Sequence, residues 1–171
     1  MVKRKSRRSS ERPNIRLLVL DVDGVLTDGR LYFGADGEAL KVFHVRDGLG
    51  IKLVQRAGIA VAVVSGRSSR AVVSRCRELD IAHLVQGCDD KVAAVARLAA
   101  ELGISMNDVA CIVDDTSDLP LAVAVGLAFA VADAHPDVNL ATLHVTKHAG
   151  GSGAVREICD RLILEARGTQ P

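Results

Sequence analysis

Aromatic residues are nearly absent from this chain of 171 residues, which has no tryptophan, one tyrosine and three phenylalanines. Its core must therefore consist of Val, Leu, Ile and Ala, as is typical of helices packed on a buried parallel sheet. Hydrophobic residues make up 49% of the chain, enough for the core of one domain. No apolar run approaches the roughly 20 residues of a membrane-spanning helix. The N-terminus is basic and lacks the apolar segment of a secretory signal.

Cysteine and histidine are also sparse. The four cysteines, Cys76, Cys88, Cys111 and Cys159, are scattered and contain no CxxC pair. A reducing cytoplasm is the simplest compartment for such a chain. The five histidines lack the tight spacing that zinc ligands have.

The formal net charge of +1 conceals an uneven distribution of charge. Residues 1–12 contain six basic residues and one acidic residue, so the remainder of the chain is acidic. We expect residues 1–13 to form a disordered basic tail and residues 14–171 to form a single domain. A lone basic tail without aromatic residues is weak support for a nucleic-acid partner. A solvated tail is the preferred interpretation.

Apolar runs that are typical of buried strands alternate with amphipathic stretches that are typical of helices. Strands are predicted over residues 17–20, 59–64, 83–85, 109–113, 127–131 and 143–145, helices over 47–57, 68–79, 91–102, 119–125 and 153–167, and a hairpin over 30–45 with its turn at 34–37. Asp47 is the predicted N-cap of the first helix and Gly58 its end. This alternation predicts an α/β fold with a doubly wound, Rossmann-like parallel sheet.

Two aspartates one residue apart, Asp21 and Asp23, directly follow the first predicted strand and precede Gly24. Ligands in open α/β sheets bind at the carboxyl ends of strands, so we expect both carboxylates to lie at that edge. Two close carboxylates repel each other unless a cation or a proton lies between them, and Mg²⁺ prefers oxygen ligands. The alternative is that both residues only cap or form a turn, as Asp-Gly pairs often do.

Three further polar clusters lie where predicted strands end or helices begin: Ser-Gly-Arg at 65–67, the acidic run 114–118, and Lys91. Phosphoryl transfer uses such groups, because a carboxylate can attack phosphorus while cations neutralise the phosphoryl oxygens. Taken singly, the clusters have ordinary interpretations as a turn, a solvated helix cap and a surface lysine. A receiver domain of two-component signalling would need an isolated aspartate where Ser65 stands.

In order and spacing, these motifs resemble those of the haloacid dehalogenase superfamily of phosphatases. Three more segments, 44–48, 131–136 and 150–157, resemble the phosphatases of 3-deoxy-D-manno-octulosonate (KDO) 8-phosphate. The resemblance covers residues 15–165, nearly everything except the basic tail. Two positions depart from the family pattern: Val113 precedes the acidic run where relatives have glycine, and His44 stands where they often have asparagine.

The resemblance implies a role for each residue of these motifs. Asp21 would be the nucleophile that forms an aspartyl-phosphate, and Asp23 the general acid and base. Mg²⁺ would be held by Asp21, the backbone carbonyl of Asp23 and Asp114. The phosphoryl group would be bound by Ser65, Gly66 and Lys91, and Lys91 would also offset the charge of the nucleophile.

The same resemblance implies which residues contact the rest of the substrate. They are Asp23, His44, Val45, Arg46, Asp47, Gly48, Lys52, Arg67 and Arg75, with Asp115, Asp118 and Arg156 in supporting roles. Arg46 is a candidate for bidentate pairing with the carboxylate of a sugar acid. Lys52 and Arg75 are equally well explained as surface charges.

The spacing of the motifs leaves no room for a cap domain, so the resemblance implies a capless fold with a β-hairpin flap. Relatives of this kind form homotetramers in which such hairpins meet and a neighbour covers each site. Glycines at 150–153 are expected to make that segment flexible, so that the C-terminal tail and Arg156 reach a neighbouring site.

The predicted function is Mg²⁺-dependent hydrolysis of KDO 8-phosphate to KDO and inorganic phosphate, in lipopolysaccharide biosynthesis. One alternative is a phosphatase for another nonulosonate, such as a sialic acid 9-phosphate. A second alternative is a catalytically silent domain that binds a sugar phosphate or a partner protein.

Overall fold

The structure is a computed structural model that describes residues 13–142 and 144–168. The predicted basic tail lies outside the described residues apart from Pro13, and so does Leu143 of the last predicted strand. No helix within the described ranges is long and apolar enough to cross a membrane.

The centre of the fold is a six-stranded parallel sheet, as the sequence predicts. Its strands are β1 (Leu17–Leu20), β4 (Ala60–Val64), β5 (His83–Val85), β6 (Val109–Val113), β7 (Leu127–Ala130) and β8 (His144–Val145). They lie in the order β5-β4-β1-β6-β7-β8, so β1 is flanked by β4 and β6. Every residue of β1 and β6 is buried, because helices cover both faces of the sheet.

Within residues 13–142 and 144–168, six α-helices connect and cover these strands. They are α1 (Val45–Arg56), α2 (Arg70–Glu78), α3 (Lys91–Glu101), α4 (Leu119–Ala124), α5 (Pro136–Ala141) and α6 (Ala154–Gly168). The predicted stop signal after α1 is confirmed, since Gly58 has a φ of +87°, a conformation that glycine adopts without strain. Asp90 caps α3 by accepting from the backbone N–H of Ala93 at 2.9 Å.

The prediction that Asp47 caps α1 is wrong. The helix begins two residues earlier, with His44 as its N-cap and the His44 side chain accepting from the backbone N–H of Arg46. Asp47 is buried and accepts instead from the backbone N–H of Arg156 at 2.8 Å, in the first turn of α6. An aspartate of one helix therefore satisfies the free N–H groups of another, a contact between residues far apart in sequence.

Helix α5 was not predicted, because six residues give no clear helical periodicity. In the structure the His135 side chain accepts from the N–H of Asp137 at 3.3 Å, and Pro136 takes the first helical position. Proline is favoured there since its missing N–H would have no partner in any case.

The predicted hairpin is present and lies beside the sheet. It consists of β2 (Tyr32–Gly34) and β3 (Gly37–Leu40), paired antiparallel with a two-residue turn between them. Large apolar side chains on and beside it are exposed: Leu31, Phe33, Leu40 and Val42. The hairpin therefore presents an apolar surface that the described residues leave uncovered.

The expectation of a flexible segment at 150–153 is wrong. The N–H of Gly151 donates to the carbonyl of Val25 at 2.9 Å, and a Cβ on Gly150 would lie 1.7 Å from the carbonyl oxygen of Gly24. These glycines permit close packing against the loop after β1. The chain then enters α6, which packs on α1 at Gly50, so this segment is fixed by its contacts and leads into a packed helix.

Candidate active site

The chemistry-bearing side chains predicted from the sequence converge at one edge of the sheet. Asp21, Ser65 and Asp114 each directly follow one of the three neighbouring strands β1, β4 and β6. Since these strands are parallel, their carboxyl ends meet at the same edge, with Asp21 between the other two residues. Lys91 reaches the same place from the first turn of α3.

Three carboxylates form a compact cluster around one ammonium group. Oxygen atoms of Asp21, Asp114 and Asp118 all lie within 4.8 Å of one another. The Nζ atom of Lys91 lies 2.9 Å from Oδ1 of Asp21 and 2.7 Å from Oδ1 of Asp118. Asp118, which is predicted to support the site, is almost fully buried, and its carboxylate holds the ammonium group of Lys91.

Burial and mutual repulsion make it harder to ionise two of these carboxylates, Asp21 and Asp114. Burial is the main cause that raises the pKa of Asp21 to about 6; Asp118 adds to the rise and Lys91 opposes it. Burial, followed by the charges of Asp21 and Asp118, raises the pKa of Asp114 to about 7. Burial alone would lower the pKa of Lys91, but the two aspartates in contact with it raise the pKa overall.

The donor set of the cluster fits a hard divalent cation. Three carboxylates face one ammonium group, so the cluster carries more negative charge than Lys91 neutralises. Carboxylate oxygens are the ligands that Mg²⁺ prefers, and a divalent cation would offset the repulsion that raises both aspartate pKa values.

The structure explains why the residue after the two aspartates, Gly24, is a glycine. Its φ is +88°, and a Cβ built on it would lie 1.9 Å from Oδ2 of Asp114. The carboxylate of Asp114 therefore occupies the space of a side chain at position 24. The loop after β1 and the loop after β6 fit together only because Gly24 has no side chain.

Val113, one of the two positions that depart from the family pattern, does not disturb the contact between the loops after β1 and β6. It is the last residue of β6 and is buried in the core, and its carbonyl accepts from the N–H of Val131 at 3.2 Å. The next residue, Asp114, accepts at its carbonyl from the N–H of His135 at 2.7 Å. Backbone contacts on both sides thus hold the start of the acidic run in place.

The side chain of Asp23 is not part of the three-carboxylate cluster and contacts two cations instead. Its Oδ1 accepts from the ammonium of Lys41, and its Oδ2 lies 3.6 Å from Nε of Arg67. Lys41, which follows β3, was not identified from the sequence. A single lysine after a hairpin strand looks like a solvated charge, and no local signal reveals that its side chain is buried.

The two residues predicted to bind phosphate beside Lys91 lie in the turn after β4. Ser65 is buried and its hydroxyl accepts from the N–H of Arg67 at 3.2 Å, whereas Gly66 is exposed. Asp115 is also exposed, and its carboxylate accepts from the backbone N–H and the hydroxyl of Thr116. The N–H contact is the main cause that lowers the pKa of Asp115.

The predicted substrate residues at 44–48 occupy the first turn of α1. Val45 and Arg46 are exposed, while Asp47 and Gly48 are buried. A Cβ on Gly48 would lie 2.3 Å from a guanidinium nitrogen of Arg75, so α1 and α2 approach closely there. This turn lies at the carboxyl edge because α1 runs antiparallel to the sheet.

Other predicted substrate residues are engaged elsewhere within this chain. Lys52 pairs with Asp80 beyond the end of α2, with 3.0 Å between Nζ and Oδ2. Arg75 pairs with Glu78 at 2.9 Å, and Arg156 pairs with Asp160 at 2.8 Å. None of the described contacts joins these three cations to the acidic cluster. Any role for them in the site would require substrate or a neighbouring chain.

Comparison with known proteins places this arrangement in a family. The family model for haloacid dehalogenase-like hydrolases matches residues 80–158. The 3-deoxy-D-manno-octulosonate 8-phosphate phosphatase KdsC of Escherichia coli is 50% identical over 151 residues, which are 88% of this chain and 80% of that protein. This chain belongs to the KDO 8-phosphate phosphatase family of haloacid dehalogenase-like hydrolases.

Solved structures of this family have the same fold. The crystal structure of the phosphatase from Yersinia pestis has a TM-score of 0.87 and 48% identity, covering 92% of this chain and 84% of that one. The phosphatase from Moraxella catarrhalis, in complex with a magnesium ion, a phosphate ion and a KDO molecule, has a TM-score of 0.86 and 39% identity. That match covers 91% of this chain and 88% of that one. The family is thus matched along nearly the whole described fold.

Proposed function

We infer that this chain is a Mg²⁺-dependent phosphatase that hydrolyses KDO 8-phosphate to KDO and inorganic phosphate, a step towards lipopolysaccharide. The observation that carries this conclusion is the 50% identity, along 88% of the chain, to a phosphatase of that substrate. The cluster of three aspartates around a lysine at the carboxyl edge of the sheet supplies the matching chemistry.

Asp21 is the proposed nucleophile. Its carboxylate attacks phosphorus, the bond between phosphorus and the sugar oxygen breaks, and the phosphoryl group becomes attached to Asp21. Lys91 supports this step by neutralising charge at Asp21 Oδ1, 2.9 Å away, and on the phosphoryl oxygens. Ser65 and the exposed backbone of Gly66 lie at the same edge and are proposed to hold those oxygens.

Asp23 is the proposed general acid and base. It gives a proton to the departing sugar oxygen in the first step and takes one from water in the second. That water attacks phosphorus, the bond to Asp21 breaks and inorganic phosphate leaves. This role is supported by the surroundings of Asp23, because its Oδ2 lies 3.6 Å from Nε of Arg67, a side chain that is partly exposed.

Asp21, Asp114 and the backbone carbonyl of Asp23 are the proposed magnesium ligands, and Asp118 stays paired with Lys91. When bound there, Mg²⁺ would neutralise charge on the transferring phosphoryl group. Asp115 supports the site by shaping the turn after Asp114 through its contacts to Thr116.

The sugar acid is proposed to extend from the phosphate towards the first turn of α1. Arg67 lies beside Asp23, and His44 to Gly48 supply exposed and buried polar groups at the same edge. Arg46 is exposed, which leaves its guanidinium available for a carboxylate. Three other cations are weaker candidates for contact with the sugar acid, because each is paired with an acid of this chain: Lys52, Arg75 and Arg156.

A homotetramer is proposed as the functional assembly. The exposed side chains of Leu31, Phe33, Leu40 and Val42 form an apolar surface on the hairpin that another copy of the chain would cover. Light scattering on the purified protein tests this assembly. The mass of four copies is expected, whereas a monomer at micromolar concentration would contradict the proposal. The four unpaired cysteines suit a reducing compartment, and we propose the cytoplasm.

Phosphate release from three substrates tests the function. KDO 8-phosphate, a sialic acid 9-phosphate and an aryl phosphate are compared with Mg²⁺ and with EDTA. We expect kcat/KM for KDO 8-phosphate to exceed the others on the order of 10²-fold, since buried polar contacts discriminate strongly. EDTA should abolish the activity.

Other outcomes of this assay identify the alternatives. A preference for sialic acid 9-phosphate would show a phosphatase of another nonulosonate. No phosphate release from any substrate by folded, Mg²⁺-loaded protein would contradict the proposed function and favour a silent binding domain.

A further inference from the structure

The side chain of Lys41 is unusual because it is a lysine of an exposed hairpin whose ammonium group is buried. Only 2% of this side chain is exposed. Buried ammonium groups are unfavourable unless acids accompany them, and here there are two. Oδ1 of Asp23 accepts from Nζ of Lys41, and Oε2 of Glu38 lies 3.2 Å from the same nitrogen.

The contacts continue from Lys41 into the body of the protein. The hydroxyl of Ser69, the N-cap residue of α2, donates to Oε1 of Glu38. The N–H of Ser69 in turn donates to the side chain of Gln86 at 2.8 Å. Glu38 and Lys41 thus connect the hairpin with both the start of α2 and the loop after β1.

The two oxygens of the Asp23 carboxylate lie in different surroundings. Oδ1 faces the buried ammonium of Lys41, whereas Oδ2 faces Arg67, whose side chain is 45% exposed. One oxygen is therefore held by a buried cation, and the other lies beside a cation that is partly exposed to solvent.

We propose that Lys41 is a positioning residue of this site, which holds Oδ1 of Asp23 so that proton exchange with substrate and water takes place at Oδ2. In this arrangement Oδ2 gives its proton to the sugar oxygen as the bond to phosphorus breaks. Oδ2 then takes a proton from the water that attacks the aspartyl-phosphate, which restores the starting state. The inference rests on the proposed function, because it requires Asp23 to exchange protons with the reactants.

A purely structural role for Lys41 accounts less well for this arrangement. Apolar side chains in place of Lys41 and its two acids would fill the same space without buried charges, and such replacements of whole buried ion pairs are often neutral or stabilising. Direct contact with substrate is also disfavoured, since 2% exposure leaves almost none of the side chain accessible. The ammonium group of Lys41 instead fixes the carboxylate of Asp23 in one orientation.

A double-mutant cycle on Lys41 and Asp23 tests the proposal. Lys41→Met, Asp23→Asn and the double variant are compared with the wild type for KDO 8-phosphate hydrolysis. Lys41→Met is expected to lower kcat on the order of 10²-fold, the effect of misplacing a catalytic group, with KM and the inhibition constant of inorganic phosphate within about 3-fold of wild type. The double variant should be no slower than Asp23→Asn, because Lys41 acts through Asp23.

Lys147→Met is the matched control, since it makes the same exchange at an exposed lysine after β8, and its kcat should equal that of the wild type.

An unchanged kcat in Lys41→Met or in Asp23→Asn would overturn the proposal. So would an additive loss in the double variant, or a changed phosphate inhibition constant. If Lys41→Met does not fold, the double variant still tests the proposal, because it also removes the charge of Asp23 that Lys41→Met would leave buried, and a kcat below that of Asp23→Asn would overturn the proposal. An inactive wild type would contradict the proposed function instead.

Discussion

Replacing Asp21 with asparagine is expected to lower kcat for KDO 8-phosphate by about 10⁴-fold or more, the scale seen when an essential catalytic group is removed. Asparagine has nearly the same shape as aspartate but cannot form an acyl-phosphate. Lys91 keeps its contact with Asp118 at 2.7 Å, so the surrounding structure should persist.

The stability of the same variant separates chemistry from folding. Because burial raises the pKa of Asp21 to about 6, ionisation of this group above that pH is unfavourable to the folded state when no metal is bound. Asparagine removes that charge. In EDTA at pH 8, Asp21→Asn is therefore expected to melt no lower than the wild type, as measured by circular dichroism.

Asp137→Asn is the matched control, since it makes the same exchange on α5 at a side chain that is 67% exposed. Its activity should equal that of the wild type. An Asp21→Asn protein that is folded and retains a tenth or more of the wild-type kcat would contradict the assignment of Asp21 as the nucleophile.

Gly24→Ala is expected to have the second-largest effect, because it adds one methyl group where the loops after β1 and β6 meet. The new Cβ would lie 1.9 Å from Oδ2 of Asp114, so this carboxylate must move. We expect kcat/KM to fall by about 10²-fold or more, as it does when a catalytic group is displaced by about 1 Å. We expect Mg²⁺ to raise the melting temperature of the wild type, and this rise should shrink or disappear in Gly24→Ala, since the ion would bind the folded state less tightly.

Gly58→Ala is the control for backbone strain. Gly58 has a φ of +87°, almost the same as the +88° of Gly24, but nothing lies within 4 Å of an added Cβ. Both substitutions should destabilise the fold by about 1–2 kcal/mol through the left-handed backbone. Only Gly24→Ala should also impair catalysis and Mg²⁺ binding. Equal activities and equal Mg²⁺ effects in the two variants would contradict the close approach of Gly24 to Asp114.

Much of the fold could be predicted from the sequence because its strands are continuous apolar runs that end in polar residues. The five-residue run 109–113 is an example: it predicts a buried strand with the bounds that β6 has, and it ends at the acidic residues of the site. The convergence of Asp21, Ser65 and Asp114 followed from one further rule, that parallel strands share a carboxyl edge.

The remaining contacts could not be predicted, since they join residues that only the folded chain brings together. Asp47 looked like the cap of its own helix, and its partner in α6 lies 109 residues away. Lys41 was not identified from the sequence, since only the folded hairpin brings it beside Asp23. The glycines at 150–151 suggested flexibility, whereas they in fact permit a close contact with residues 24–28. Composition cannot distinguish these two uses of glycine.

Detection of a phosphoryl group on Asp21 during turnover would test the account most directly. The protein is mixed with KDO 8-phosphate and Mg²⁺, quenched in acid during turnover, and treated with borohydride, which reduces an acyl-phosphate to an alcohol. Peptide mass mapping then locates the reduced residue. We predict reduction at Asp21, dependent on both substrate and Mg²⁺, and its absence in Asp21→Asn. Reduction at Asp23 or Asp114 instead, or an unmodified Asp21 while phosphate is being released, would contradict the account.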